Sequence, residues 1–192
     1  MKIRAMKKED KTFVAPLIRS AIEDLSELFT QSEAIDIIDS RLERLIEAQE
    51  TRFSHVYGLV CEIDGKVAGA GLAYLAGEMR RLTFNSIAII ESEGITFDLQ
   101  VKRDLLCSRE ANEDEFYIDN LAVYPDFQNR GIGGLLLDAF EQKAKAEGHD
   151  KLSILADLEN PRARELYLRR GYEEDCIMKV LGHEYHHLVK YI

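Results

Sequence analysis

The 192-residue chain has 46% apolar and 31% charged residues and only three prolines, which points to one globular domain over residues 1–192 with no linker. Its formal net charge of −10, from 35 acidic and 25 basic residues, disfavours nucleic acid and anionic membranes as partners and tolerates a cationic substrate. Cys61, Cys107 and Cys176 give neither a disulfide framework nor a zinc-ribbon spacing, and residues 1–22 carry mixed charges without the apolar run of a signal peptide or membrane span, so a cytoplasmic location is expected.

Residues 2–4 read as a short strand, and Asp10 or Thr12 can cap the helix that follows. Phe13, Leu17, Ile18, Ala21, Leu25 and Leu28 recur at helical spacing. Pro16 is tolerated in a first turn, so this helix is expected to begin near Phe13. A second helix is expected over 32–48, burying Ile35, Ile38, Leu42, Leu45 and Ile46. Strands at 56–63 and 66–75 flank Asp64-Gly65, a two-residue hairpin turn. Gly69 and Gly71 inside the second strand indicate a bulge or a close backbone neighbour. The next stretch is weakly patterned; 84–90 reads as a strand and 97–106 as a helix.

Residues 116–123 form an apolar central strand that carries Asp119 and is stopped by Pro125. Residues 133–147 are an amphipathic helix with Leu136, Leu137, Phe140 and Ala144 on its packing face and Gly148 at its end. A strand at 151–156 follows, then a helix opened by Asn160-Pro161 and closed by Gly171, then strands at 174–180 and 185–191. The βαβ unit implies parallel strands and the early hairpin antiparallel ones. The fold class expected is α/β: a mixed central sheet with helices on both faces.

The loop between strand and amphipathic helix carries the chemistry. The N–H groups of residues 129–134 point into one concavity, the helix dipole favours an anion there, and Arg130 adds a cation. Glycine at 131 and 133 lets the chain turn and lets a phosphate approach the backbone. This composes a diphosphate site, although such glycines can also simply cap a helix. A mononucleotide P-loop needs Lys and then Ser or Thr where Gly134 and Leu135 stand, and a dinucleotide fingerprint needs a different glycine spacing.

The segment resembles the signature of GCN5-related N-acetyltransferases. Gln128, Gly131 and Gly133 fill that family's pattern, with Leu121-Ala122-Val123 and Pro125 before it. A second feature, Asn160-Pro161-Arg162-Ala163 with Leu166-Tyr167 and Gly171-Tyr172, follows in the family's order. The resemblance covers about 115–172 and extends to 2–73. Residues 77–111 depart from it and look like an insertion where the family varies its acceptor pocket.

The resemblance implies the acyl-CoA N-acyltransferase (GNAT) fold, acetyl-CoA as co-substrate, no metal, and acetyl transfer to a primary amine on a small molecule or a protein. Dimerisation is common in the family, so a homodimer is a possible assembly. The alternative is a noncatalytic acyl-CoA-binding or sensing domain. Acetyl-CoA would lie where the strand ending at Val123 splays from the strand at 151–156. The pantetheine arm would pair with Leu121, Ala122 and Val123. The diphosphate would meet the loop of Gln128, Asn129, Arg130, Gly131, Ile132, Gly133 and Gly134. Asn160 would touch the cofactor, and Tyr167 would face the sulfur and protonate the departing thiolate.

Asn160 and Tyr167 are two helical turns apart, so both can face one cleft. Asp119, in a buried strand, would have the raised pKa of a general base, or be a structural acid bonded to backbone or an Arg. Tyr117 shares its face by the period of two. Glu115 could act through water, and Glu78 and Glu113 are further acids within range. His183, His186 and His187 are split between strand faces, so no metal site is expected from them. Cys107 has no spaced His or acid partner for covalent chemistry.

Overall fold

The computed structural model describes residues 1–192. Seven strands form one sheet: β1 (Lys2–Ala5), β2 (Gly58–Ile63), β3 (Lys66–Leu75), β4 (Phe116–Val123), β5 (Lys151–Asp157), β6 (Glu173–Val180) and β7 (His183–Tyr191). Their order is β1-β2-β3-β4-β5-β7-β6. Only β4 and β5 are parallel; every other neighbouring pair is antiparallel. The mixed sheet is the one expected.

Seven α-helices cover it: α1 (Lys11–Ile22), α2 (Asp24–Thr30), α3 (Ile35–Glu47), α4 (Met79–Glu91), α5 (Leu99–Cys107), α6 (Ile132–Ala146) and α7 (Pro161–Arg169). One core joins Val14, Ile18, Ile38, Leu42, Ile87 and Leu105 of α1, α3, α4 and α5 to Val60, Ala70 and Leu72 of the sheet. A second core, on the opposite face, joins Leu137 and Phe140 of α6 and Tyr167 of α7 to Ala73, Phe116, Ile118, Leu152 and Ile154. Gly69 and Gly71 belong to a close approach: an added Cβ would lie 2.9 Å from the Ala122 and Asn120 carbonyl oxygens respectively, and at Gly71 2.8 Å from Phe140.

Four expectations are corrected. Helix α1 starts at Lys11 and not near Phe13, so Pro16 lies in its second turn and one intrahelical donor is forgone. The apolar run to Leu28 is not one helix; it breaks at Glu23, which takes φ 44° and separates α1 from α2. Ile35 is exposed at the first position of α3, while Ile38, Leu42, Leu45 and Ile46 form the buried stripe. Residues 84–90 are helical: Met79, Leu82, Thr83, Ser86, Ile87 and Ile90 are buried at spacings of one, three and four. The Ile-Ala-Ile-Ile run mimics a strand over four residues, and the longer period decides for a helix. The helix expected over 97–106 is present as α5, with Asp98 accepting from Gln100 N and Val101 N at 2.8 and 3.2 Å.

Candidate active site

Strands β4 and β5 are paired only at Phe116–Leu152, Tyr117–Ser153 and Ile118–Ile154. Beyond these positions β4 continues to Val123 and β5 to Asp157 without a ladder between them. Two facing strand edges with unpaired polar groups are a ready template for an extended ligand. The gap opens into a cleft of about 860 Å³, lined by residues 118–125 and 154–157, by Asn160 and Tyr167, and by Leu17 and Ile22 of α1.

The divergence coincides with a bulge on the other edge of β4. Leu72 of β3 faces Asn120 and Ala73 faces Ile118, so Asp119 is an extra residue. A bulge bends its strand and sharpens its twist, and this one sits where β4 leaves β5.

The Asp119 carboxylate accepts from Arg52 Nε and Nη2, each at 2.7 Å, and from the Tyr74 hydroxyl at 2.8 Å. Arg52 Nη2 also donates to Glu110, which accepts from the Tyr117 hydroxyl at 3.0 Å. Burial opposes the Arg52 charge, but Asp119 and Glu110 outweigh it and hold the guanidinium firmly protonated. Asp119 lines the cleft, yet its oxygens are engaged by a buried cation and a phenol. It therefore occupies the structural position that the sequence left as its alternative. Arg52 lies 67 residues from Asp119 and Glu110 7 residues from Tyr117, both in segments without a motif, so nothing local announced them.

Glu115 is a correction. It lies outside the cleft, fully buried beside the paired end of β4 and β5. It accepts from His187 Nε2 at 2.9 Å, Lys151 Nζ at 2.7 Å, Asn112 Nδ2 at 2.6 Å and Asn112 N at 3.0 Å. Burial pushes its pKa up, but the bonds from His187, Lys151 and Asn112 outweigh burial and hold the carboxyl far below the usual range. Such a group takes no proton near neutrality. Glu78 and Glu113 also lie outside the cleft lining. Asp175, Cys176 and His187 place one donor atom each within 4.8 Å of one another. The two ring nitrogens of His187 are spanned between Glu115 and Asp175, a use for both without a metal.

Asn160 caps α7, its Oδ1 accepting from Ala163 N at 3.1 Å. Two turns on, Tyr167 is the buried residue of α7 and reaches the cleft wall. No charged or hydrogen-bonded neighbour acts on its hydroxyl; burial alone pushes its pKa up and keeps the proton on. Leu121, Ala122, Val123 and Gln128 line the same cleft, with Gln128 Nε2 donating to Val123 O at 3.1 Å.

Asn129 to Gly134 continue beyond the cleft rim. Asn129 and Gly131 take φ of 59° and 79°, which turns the chain so that α6 begins at Ile132. The first intrahelical bond runs from Leu135 N to Gly131 O at 3.1 Å, so the amides of Ile132, Gly133 and Gly134 have no intrahelical partner. A Cβ on Gly131 would meet nothing within 4 Å, so the space over this backbone is open to an anion. Arg130 is steadied beside it: Nη2 donates to Asp126 O at 2.8 Å, and the guanidinium lies 5.3 Å over the Phe127 ring. A Cβ on Gly134 would meet the Arg170 guanidinium, the movable end of a side chain paired with Asp138. The open loop and the free strand edge together fit a long ligand that carries a diphosphate at one end.

Acidic residues also line the cleft. Glu23, Asp157 and Glu159 line the cleft with Tyr185, whose pKa is raised by burial and then by Asp157, Glu110, Glu23 and Asp24. That field favours a cation.

Residues 19–172 match the sequence model of the Acetyltransferase (GNAT) family. A crystal structure of an acetyltransferase superposes with a TM-score of 0.82 at 28% identity, covering 100% of both chains. A crystal structure of an N-acetyltransferase from Staphylococcus aureus Mu50 gives 0.81 at 25% identity, covering 99% of this chain and 100% of that one. The uncharacterized N-acetyltransferase YhfO of Bacillus subtilis (strain 168) is 26% identical over 175 residues, 91% of each chain. No helix is long and apolar enough to cross a membrane.

Proposed function

The chain belongs to the Acetyltransferase (GNAT) family, and from that premise we propose that it transfers an acetyl group from acetyl-CoA to a primary amine by direct attack in a ternary complex. The observation that carries this reading is the loss of β4–β5 pairing after Ile118 and Ile154, which leaves a strand edge free inside the cleft. In this reading the backbone of Leu121, Ala122 and Val123 binds the pantetheine arm as an added strand would be bound. The amides at the start of α6, with Arg130, meet the diphosphate.

Acetyl-CoA supplies an activated acyl carbon and a thiolate leaving group. The protein supplies position and protons. A backbone N–H near Leu121 polarises the thioester carbonyl. Tyr167, buried and protonated, donates to the departing sulfur. The acids around Tyr185 draw a cationic amine into the cleft, and the amine must lose a proton before it attacks. Asp119 and Glu115 are both occupied by cations, so water passes that proton to the acidic rim. Incubation with acetyl-CoA and a panel of amines tests the reading by free CoA release. Binding of acetyl-CoA without transfer to any amine would favour a noncatalytic acyl-CoA-binding domain.

A further inference from the structure

Asn120 also lines the cleft, and nothing in its local sequence pattern marks it. Only 6% of the residue is exposed. Its Nδ2 is sealed from solvent with no hydrogen-bond partner, so the end of the carboxamide that reaches the cleft is Oδ1. The neighbouring buried polar groups are satisfied among themselves, Arg52 with Asp119 and Glu110, and Tyr117 with Glu110. Oδ1 receives no hydrogen bond from the protein and is the atom left free to accept one from a ligand.

The bulge explains how Asn120 comes to face inward. Phe116 and Ile118 pack into the core beneath α6 and α7, and Leu121 and Val123 pack against α6. Alternation along the strand would put only every second residue on the opposite face. The extra residue at Asp119 puts two consecutive side chains there. Arg52 and Tyr74 hold the first, and the second is left to the cleft.

We propose that Asn120 reads the acceptor: its Oδ1 accepts an N–H of the attacking amine. This rests on the acetyltransferase reading above and adds to it a residue for the nucleophile. The amine keeps its lone pair for the acyl carbon while one N–H is held by Asn120. As the new C–N bond forms, the nitrogen becomes cationic and that hydrogen bond strengthens, so the contact is tighter in the transition state than in the ground state. The amide is uncharged at all working pH values, so it orients the amine without acting as its base. The chemical class selected is an amine with a hydrogen to spare after attack, primary before secondary.

The test compares wild type with Asn120→Leu and Asn120→Asp. Measured are transfer to spermidine, agmatine, lysine and glycinamide, acetyl-CoA hydrolysis without amine, acetyl-CoA affinity by calorimetry, and Tm. Asn120→Leu is expected to slow amine transfer roughly 10- to 100-fold. Hydrolysis and acetyl-CoA affinity stay unchanged, and Tm does not fall, because an unpaired buried amide is removed. Asn120→Asp keeps an acceptor oxygen and keeps transfer. Transfer by Asn120→Leu within about threefold of wild type would overturn the proposal. So would a parallel loss of hydrolysis, which assigns Asn120 to the thioester. If Asn120→Leu does not fold, Asn120→Asp decides, and its loss of transfer overturns the proposal. Wild type that transfers to no amine overturns the acetyltransferase reading and this inference together, an outcome distinct from failure of the variants alone.

Discussion

Ile118 of β4 and Ile154 of β5 are the last residues at which the two parallel strands pair. On one side of that point Glu115, Lys151 and His187 tie the strands together; on the other the cleft opens. The site thus depends on a clamp and a release within one strand pair, and each half gives separate predictions.

The clamp predicts acid sensitivity. The Glu115 pKa is depressed in the folded protein, so its stabilisation is fully present above the unfolded value of about 4.3 and is lost progressively as pH falls below it toward the folded value. Glu115→Gln should cost about 2–4 kcal/mol at pH 7, because Lys151 loses its counter-charge and His187 its carboxylate partner. Urea unfolding at neutral and acid pH checks this: the gap between wild type and Glu115→Gln should narrow in acid. A constant gap means that the carboxylate charge is not what stabilises this end.

Asp119 is predicted to be structural. Asp119→Asn should lower Tm, since Arg52 and Tyr74 lose their shared acceptor. The pH dependence of kcat/KM should keep its wild-type limb. Loss of that limb in the variant would restore Asp119 as the base. Arg52→Met should be more severe, about 3–5 kcal/mol by urea unfolding, because it leaves Asp119 and Glu110 buried without a cation.

Tyr167→Phe removes a hydroxyl with no protein partner, so stability and acetyl-CoA affinity should be unchanged. Single-turnover acetyl transfer should fall roughly 10²-fold, the usual loss for a positioned acid. A single-turnover rate within about threefold of wild type would return Tyr167 to a packing role against Tyr172.

Gly131→Val should weaken acetyl-CoA binding at least about tenfold, or ~1.4 kcal/mol, by calorimetry. The branched side chain enters the open space over the α6 amides and resists the φ of 79°. Unchanged affinity in folded protein would move the diphosphate elsewhere.

Elements with a strong period and a local stop signal were legible in the sequence: the hairpin at Asp64-Gly65, β4, α6 and the Asn160-capped α7. Leu121, Ala122, Val123, Gln128, Asn160 and Tyr167, singled out in the sequence, line one cleft. What was not legible depends on distant partners. The role of Asp119 is set by Arg52 and that of Glu115 by His187, 67 and 72 residues away. The bulge that turns Asn120 inward is a register slip against β3, which a strand's own alternation does not encode. The segment 77–111, read as an insertion where the family varies its acceptor pocket, also supplies Ile87, Ile90 and Leu105 to the main core and Glu110 to Arg52.

The most direct test of the central claim is backbone hydrogen exchange with and without acetyl-CoA, which needs no knowledge of the acceptor. Protection is predicted at the amides of Leu121 and Val123, which face the edge of β4 that β5 abandons, and at residues 131–134 opening α6. Acetyl-CoA that binds while leaving both segments unprotected would contradict the account.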